Sequence, residues 1–367
     1  GSAAIAMPQL VIAKKDTPMV IGEGEHKFEV HHNWAQLPSR YSWQTTHNVA
    51  LDKAGHLYVI HEGRANLKDH PSIFVFDSKG KFVRAFGNQF QGGGHGIEVR
   101  EEDGTEYLYV CAYQNVKSFA KLTLKGETVW EKYAPMDSGV YRKDEDKVRV
   151  KRWGRDAFMP TNFAFLDDGG FLLADGYGSF CIHRYDKDGN WISHFGGPGK
   201  GEGKFSTPHG IWMDRRDSRE TNVAVCDRAN HTIQFLNLDG QHLETIRGYG
   251  LPANLDTWKN LMLVPELHAR VTLLNENNEV VNLSFPIEIF NQIKSVKIVE
   301  QNHAGAKYYF DDFSKKKNIA ILNDNGSYKE SPLLSPIYYL KKSIDSKHHI
   351  KVGKIDDIFK KNYSTII

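Results

Sequence analysis

Residues 45–87 contain four short alternating runs, NVALD, HLYVIH, IFVFD and KFVRAF, separated by turn residues and closed at Gly87. The same unit returns as HGIEV, YLYVC, FAKLTL and TVW over 95–130, and as NFAF, FLLAD, CIHRYD and WISHFG over 160–196. It returns twice more, over 208–246 and over 252–283, the last unit opening on PANLD. The opening positions 47, 95, 162, 209 and 254 are 48, 67, 47 and 45 residues apart, and the long interval holds a charged insert at roughly 133–156. One four-stranded sheet of this size cannot bury both faces, and radial stacking supplies the missing partners. A repeat of this length therefore predicts a β-propeller. A hairpin-rich sandwich would not keep aligned turns at such a period.

Five units are written clearly, and a closed ring of six blades is expected. The sixth has to come from residues 285–330, where the composition changes. No arginine follows Arg270, no tryptophan follows Trp258, and only Gly305, Gly326 and Gly353 remain of 32 glycines. The expected organisation is an N-terminal segment, 1–34, packing on or completing the ring, a propeller over 35–330 and a C-terminal extension over 331–367. Edges left by such a ring must be paired or covered.

Bulk properties exclude some functions. A formal charge of +2 over 367 residues gives no field for nucleic acid or an anionic membrane. Fourteen lysines against nine acids from 284 onward give that end +5, which a solvated tail explains equally well. No run of about 18 apolar residues offers a membrane span. Cys111, Cys181 and Cys226 are too few for a disulfide framework, although one pair could form. The opening Gly-Ser reads as an expression remnant, and export to the periplasm or outside is the expectation.

Histidines mark the blade starts. In a propeller the first strand of each blade lines the central channel, so His47, His95 and His209 should converge at its mouth. Imidazoles placed this way suit zinc or another borderline divalent ion. A histidine before glycine can also simply hold a turn. Asn162 and Asn254 stand at the equivalent positions and could aim amides at a ligand or satisfy backbone groups. In LLADGYGSF (172–180), Tyr177 follows an inner strand and faces the same end. It could act as a base, or its ring could pack over the loop glycines. Arg64 lies in the corresponding loop of the first blade and could hold a carboxylate or make a loop salt bridge.

The LxVxD pattern with its D-x-x-G turns resembles the NHL repeat class. PHGIWMD, GHGIEV, the LLADGYGSF stretch and CDRANHTIQFL (226–236) resemble the propeller of the peptidyl-α-hydroxyglycine α-amidating lyases. The likeness spans about residues 45–250. It implies a zinc held by three histidines, with His95 and His209 matching two of them. His303 is the positional candidate for the third, and His47 the substitute. It implies Tyr177 as the base on a hydroxyglycine hydroxyl, Arg64 as an aid to substrate binding, and a structural calcium in the channel. Gly178 stands where the family carries a cysteine. The expectation is a metal-dependent lyase cleaving a carbon–nitrogen bond in a small-molecule or short-peptide substrate. A metal-dependent hydrolase of a lactone or sugar-like substrate, using Asn162, Asn254, Asp175 and Asp227, is the alternative. A propeller that only binds ligand or protein is the third reading.

Overall fold

The computed structural model describes residues 33–64, 66, 70–217, 219–268 and 270–280, and short stretches at 19–23, 26–31, 295–297, 307–309, 318–322, 349–353 and 365–366. The chain divides into two compact units, one of Asn33–Val281 and one of Gly1–His32 with Asn282–Ile367.

The larger unit is a five-bladed β-propeller, each blade an antiparallel sheet laid down in sequence order. Blade 1 comprises Thr46–Leu51, Leu57–His61, Ile73–Phe76 and Phe82–Phe86. Blade 2 opens on Gly94–Glu102, blade 3 on Asn162–Phe165 and blade 4 on Pro208–Asp214, each again with four strands. Blade 5 has Asp256–Trp258, Leu261–Glu266 and Arg270–Leu274, with a bridge from Leu274 to Val280 in place of a fourth strand.

Turn chemistry explains the repeat. Between the third and fourth strands, Asp77 Oδ1 accepts the backbone N–H of Lys79 and Lys81, and Gly80 takes the left-handed conformation. Asp186 does the same for Asp188 and Asn190, Asn237 for Asp239 and Gln241, and Asn275 for Asn277 and Glu279. A short side-chain acceptor that bonds two residues on, followed by a residue tolerating positive φ, builds this turn. In blade 5 the positive-φ place holds Asn278, so the last unit keeps the device without its glycine.

Apolar clusters join neighbouring blades. Ile60, Val75, Ile97 and Val110 join blades 1 and 2, and Tyr109, Phe119, Phe163 and Phe171 join blades 2 and 3. Leu172, Ile182, Ile211 and Val223 join blades 3 and 4, and Ile233, Phe235, Met262 and Val264 join blades 4 and 5. On the face of blade 1 turned away from blade 2, Val59, Phe74 and Phe76 pack against Ala35, Leu37 and Tyr41.

Two expectations are corrected. The ring has five blades, not six. Of the stretch expected to supply the sixth, Asn318–Leu322 pairs in parallel with His349–Gly353 and Thr365–Ile366. That is the opposite sense to a blade meander, and it belongs to the other unit. The first strand of blade 5 is Asp256–Trp258, beginning only at the last residue of the PANLD run.

Candidate functional site

Three opening strands lose register at a histidine. Pairing shifts between Thr46 and Asn48, between Gly94 and Gly96, and between Pro208 and Ile211. An extra residue in one strand re-aims its side chain. The result is a cluster at the channel, with the His47 and His95 rings stacked at 4.3 Å and His209 edge-on to His95 at 4.7 Å.

The His-Gly pairs have a mechanical reason. His95 Nδ1 lies 2.8 Å from the carbonyl oxygen of Thr161, and His209 Nδ1 lies 2.6 Å from that of Ala253. Each carbonyl belongs to the next blade. A Cβ on Gly96 would stand 2.5 Å from the Thr161 oxygen, and one on Gly210 would stand 2.5 Å from Asn254 Cα. Glycine therefore lets the neighbouring chain approach closely enough to take the imidazole N–H. With Nδ1 donating, each ring presents its Nε2 lone pair. His95 Nε2 is buried without a hydrogen-bond partner, and His209 Nε2 faces the Tyr177 hydroxyl at 2.9 Å. Burial depresses all three imidazoles, with neighbouring His209 and His47 adding to the effect on His95. His209 is held at about 3, first by burial and then by Arg228.

Tyr177 is fixed from several sides. Arg228 Nη1 donates to its hydroxyl at 3.0 Å, and Tyr113 stacks on its ring at 5.0 Å. Because Arg228 donates to the phenol oxygen, the phenol hydrogen points to His209 Nε2. Burial raises the Tyr177 pKa, while the Arg228 charge opposes that rise. Tyr113 in turn donates to Glu62 at 3.2 Å, and Gln114 also bonds Glu62, which lies 3.7 Å from His47 Nε2.

Next to the histidines in the channel lies a ring of amides. Asn48 Nδ2 donates to Asn162 Oδ1 at 3.4 Å, Asn162 Nδ2 to Asn254 Oδ1 at 2.9 Å, and Asn254 Nδ2 to Asn48 Oδ1 at 3.3 Å. Blades 1, 3 and 5 meet through these bonds. Glu98 accepts from Asn48 and Asn162, yet its pKa is pushed up to about 8 by burial and by the nearby Asp256. Histidines, amides and both carboxyls line one cavity of ≈ 640 Å³, with Val49, Leu51, Leu255 and Leu263 on its apolar side.

The expected residues fall out unequally. His47, His95, His209 and Tyr177 come together, and Asn162 and Asn254 lie beside them. Arg64 is exposed, and the contact that fixes it is made by its backbone N–H to Gln91 Oε1. The arginine on the tyrosine is Arg228, which opens a short 3-10 turn, Arg228–Asn230, directly after an inner-blade strand. Its DRAN motif is conspicuous in the sequence, but only the turn shows where the guanidinium goes. His303 lies outside the described residues. Asp175 and Asp227 hold turns. The first takes the N–H groups of Met159, Gly178 and Ser179, and the second those of Ser206 and the side chain of Asn230. All three cysteines are buried and unpaired.

No protein-family description matches this chain, and no curated protein matches it. Solved structures of similar shape include a catalytically inactive virginiamycin B lyase from Staphylococcus aureus with quinupristin, at 13% identity and a TM-score of 0.44, covering 64% of this chain and 68% of that one. A streptogramin B lyase is 11% identical with a TM-score of 0.42, covering 66% and 84%. BamB from Moraxella catarrhalis is 13% identical with a TM-score of 0.38, covering 69% and 70%. The propeller assignment rests on the strand order described above.

The donor set suits a metal in part. The His95 and His209 rings lie 4.7 Å apart and are inclined at 67°, each with its Nδ1 tied to a carbonyl. His47 stacks on His95, inclined at 27°. Among the described residues no group of three His, Cys, Asp or Glu is arranged to hold an ion. His95 and His209 could supply two donors to an ion, and a third donor would be needed to complete the set. No helix among the described residues is long and apolar enough to cross a membrane.

Proposed function

We propose that this propeller is a lyase that opens the carbon–nitrogen bond of an α-hydroxyglycine-like substrate at the histidine cluster, with a divalent ion such as zinc held by His95 and His209. The observation that carries the reading is the tautomer of those two rings. Each Nδ1–H is tied to a neighbouring blade, which turns Nε2 toward the site, His95 Nε2 without a partner and His209 Nε2 facing the Tyr177 hydroxyl that an ion would displace. A bound zinc would polarise the substrate's oxygen groups.

The chain's own groups supply the rest. Tyr177 stands between a cation and an imidazole; ionised to the phenolate beside the Arg228 charge, it would take the hydroxyl proton of the substrate. Loss of that proton lets the carbon–oxygen double bond form as the carbon–nitrogen bond breaks. The nitrogen gains a proton, and the products are an amide and glyoxylate. Arg228 holds the phenol oxygen and offers its remaining N–H groups to a carboxylate. Glu62, braced by Tyr113 and Gln114, positions His47 beside the cluster.

The test is elemental analysis of the purified chain, joined to glyoxylate release from benzoyl-α-hydroxyglycine. About one zinc per chain, lost in the His95→Ala/His209→Ala variant, is expected. Tyr177→Phe should keep the zinc and lose activity by about 100-fold or more, the scale of a general acid–base group. Absence of zinc after reconstitution, with no glyoxylate formed, would overturn the reading.

A further inference from the structure

The charged insert runs past the site. Its ends are pinned by ion pairs: Lys117 meets Glu145 at 2.8 Å with both side chains buried, and Arg142 meets Asp156 at 2.7 Å. Between these anchors the chain reads KVRVKRWGR over 147–155. Lys151 N–H donates to Asn115 Oδ1, two residues from Tyr113, and Arg155 bonds the Tyr177 carbonyl. The insert is therefore tied to both loops that carry the site's tyrosines.

Its outward face is unusual. Trp153 is 56% exposed and Val150 61%, although both are large apolar groups. The Trp153 ring stands edge-on to Tyr177 at 6.0 Å, so the wall of the site continues outward as Trp153–Tyr177–Tyr113. Lys151 Nζ lies 5.3 Å from the Trp153 ring. The other cations here are engaged. Lys147 pairs with Asp144, Arg149 lies over Tyr133, and Arg155 lies over Phe180. Among the described residues Lys151 and Arg152 have no carboxylate at ion-pair distance.

We propose that Lys151, Arg152 and Trp153 form a second subsite on the rim, which binds an acidic, extended peptide segment leading into the channel mouth. An exposed indole flanked by two cations without a carboxylate partner among the described residues fits a chain carrying carboxylates beside an apolar residue. Two cations are too few to grip a polyanion, whose binding grows with each phosphate neutralised, and the chain's formal charge of +2 adds no wider field. The proposal rests on the reading above to the extent that the peptide's far end is what reacts.

Fluorescence anisotropy with the full chain tests it. The probes are fluorescein-labelled peptides ending in unreactive glycine, Glu-Glu-Ala-Phe-Gly and Lys-Lys-Ala-Phe-Gly. Two exposed ion pairs, set against two repulsions, should favour the acidic probe by about tenfold at low salt. The preference should shrink in 0.5 M salt, in the sense of about 3 Å screening at 1 M. Lys151→Glu/Arg152→Glu should abolish the preference, and Trp153→Ala should weaken both probes, with unchanged thermal unfolding in each case. Equal affinities in the wild type, a preference that survives the double substitution, or tighter binding to a DNA duplex than to the acidic probe would each overturn the subsite. Glyoxylate release from benzoyl-α-hydroxyglycine reports separately on the chemistry. An acidic preference without turnover would sustain the subsite and remove the reaction, while turnover without preference would do the reverse.

Discussion

At the scale of residues, the site depends on glycines as much as on histidines. Gly96→Ala would drive a methyl group into the Thr161 carbonyl at 2.5 Å and Cys111 Sγ at 2.6 Å. The next blade would have to retreat, and His95 would lose the acceptor that sets its tautomer. The expected cost is about 1–3 kcal/mol of stability, as for other overpacked positions, together with weaker retention of the proposed zinc. Thermal unfolding and zinc content would show both. Glu98 makes a pH prediction. Its pKa rises from 4.5 to about 8 on folding, chiefly through burial. Between those values the folded chain keeps a proton that the unfolded chain has released. Stability should therefore fall as pH rises through that window, by on the order of 1–2 kcal/mol once water in the channel has screened the charge. Glu98→Gln should flatten the slope in unfolding titrations run from pH 5 to 8, and an unchanged slope would place the titration elsewhere. The histidines and Tyr177 were legible because repeat register alone brings them to one end of a ring. Arg228 was not, since a 3-10 turn rather than a strand sets its direction. Arg64 sat in the expected loop, but its side chain is exposed, and the contact that fixes the residue among the described ones is made by its backbone N–H.

Among the elements, strands and turns were the most legible part of the chain, because alternation and side-chain-capped turns are local. The register shifts were not. A bulge changes pairing without changing the run of apolar residues, so TPHGIWMD reads as a smooth strand. The charged insert was recognised as a loop between blades, while its anchoring was hidden. A lysine and a glutamate 28 residues apart look solvated until folding buries them together. Lys117→Met should leave Glu145 with Arg142 Nε at 3.2 Å and the Phe158 N–H as partners. A loss of about 2–3 kcal/mol follows, somewhat below the cost of a fully stranded charge. The double substitution Lys117→Met/Glu145→Leu should recover part of it, and a double-mutant cycle by chemical denaturation measures the coupling. Full recovery of zinc binding but not of acidic-peptide affinity in the double variant would place the insert's role at the rim.

For the whole molecule, what matters is how the ring's joints differ. Four of the five contacts between neighbouring blades are apolar clusters of buried Leu, Ile, Val and Phe. Blades 5 and 1 are joined differently among the described residues, through the Asn254–Asn48 amides and across a water-accessible cavity. Val49 and Leu51 on blade 1 and Val271 on blade 5 remain exposed, so this joint lacks the buried area that stabilises the others at roughly 25 cal/mol per Å². Composition signalled where the repeat ends, in the loss of arginine, tryptophan and glycine after blade 5. It did not reveal that the chain then pairs strands in parallel within a separate unit, because parallel pairing leaves no local turn signature. Opening should begin at the weakest joint. Native-state hydrogen exchange should find the strands Leu261–Glu266 and Arg270–Leu274 less protected than Tyr107–Ala112 or Leu172–Ala174, and Asn254→Ala should lower their protection further while leaving blades 2 and 3 unchanged. Uniform protection across all five blades would mean that the joint between blades 5 and 1 is as strong as the apolar ones, and that the amide ring is a feature of the site rather than of ring closure.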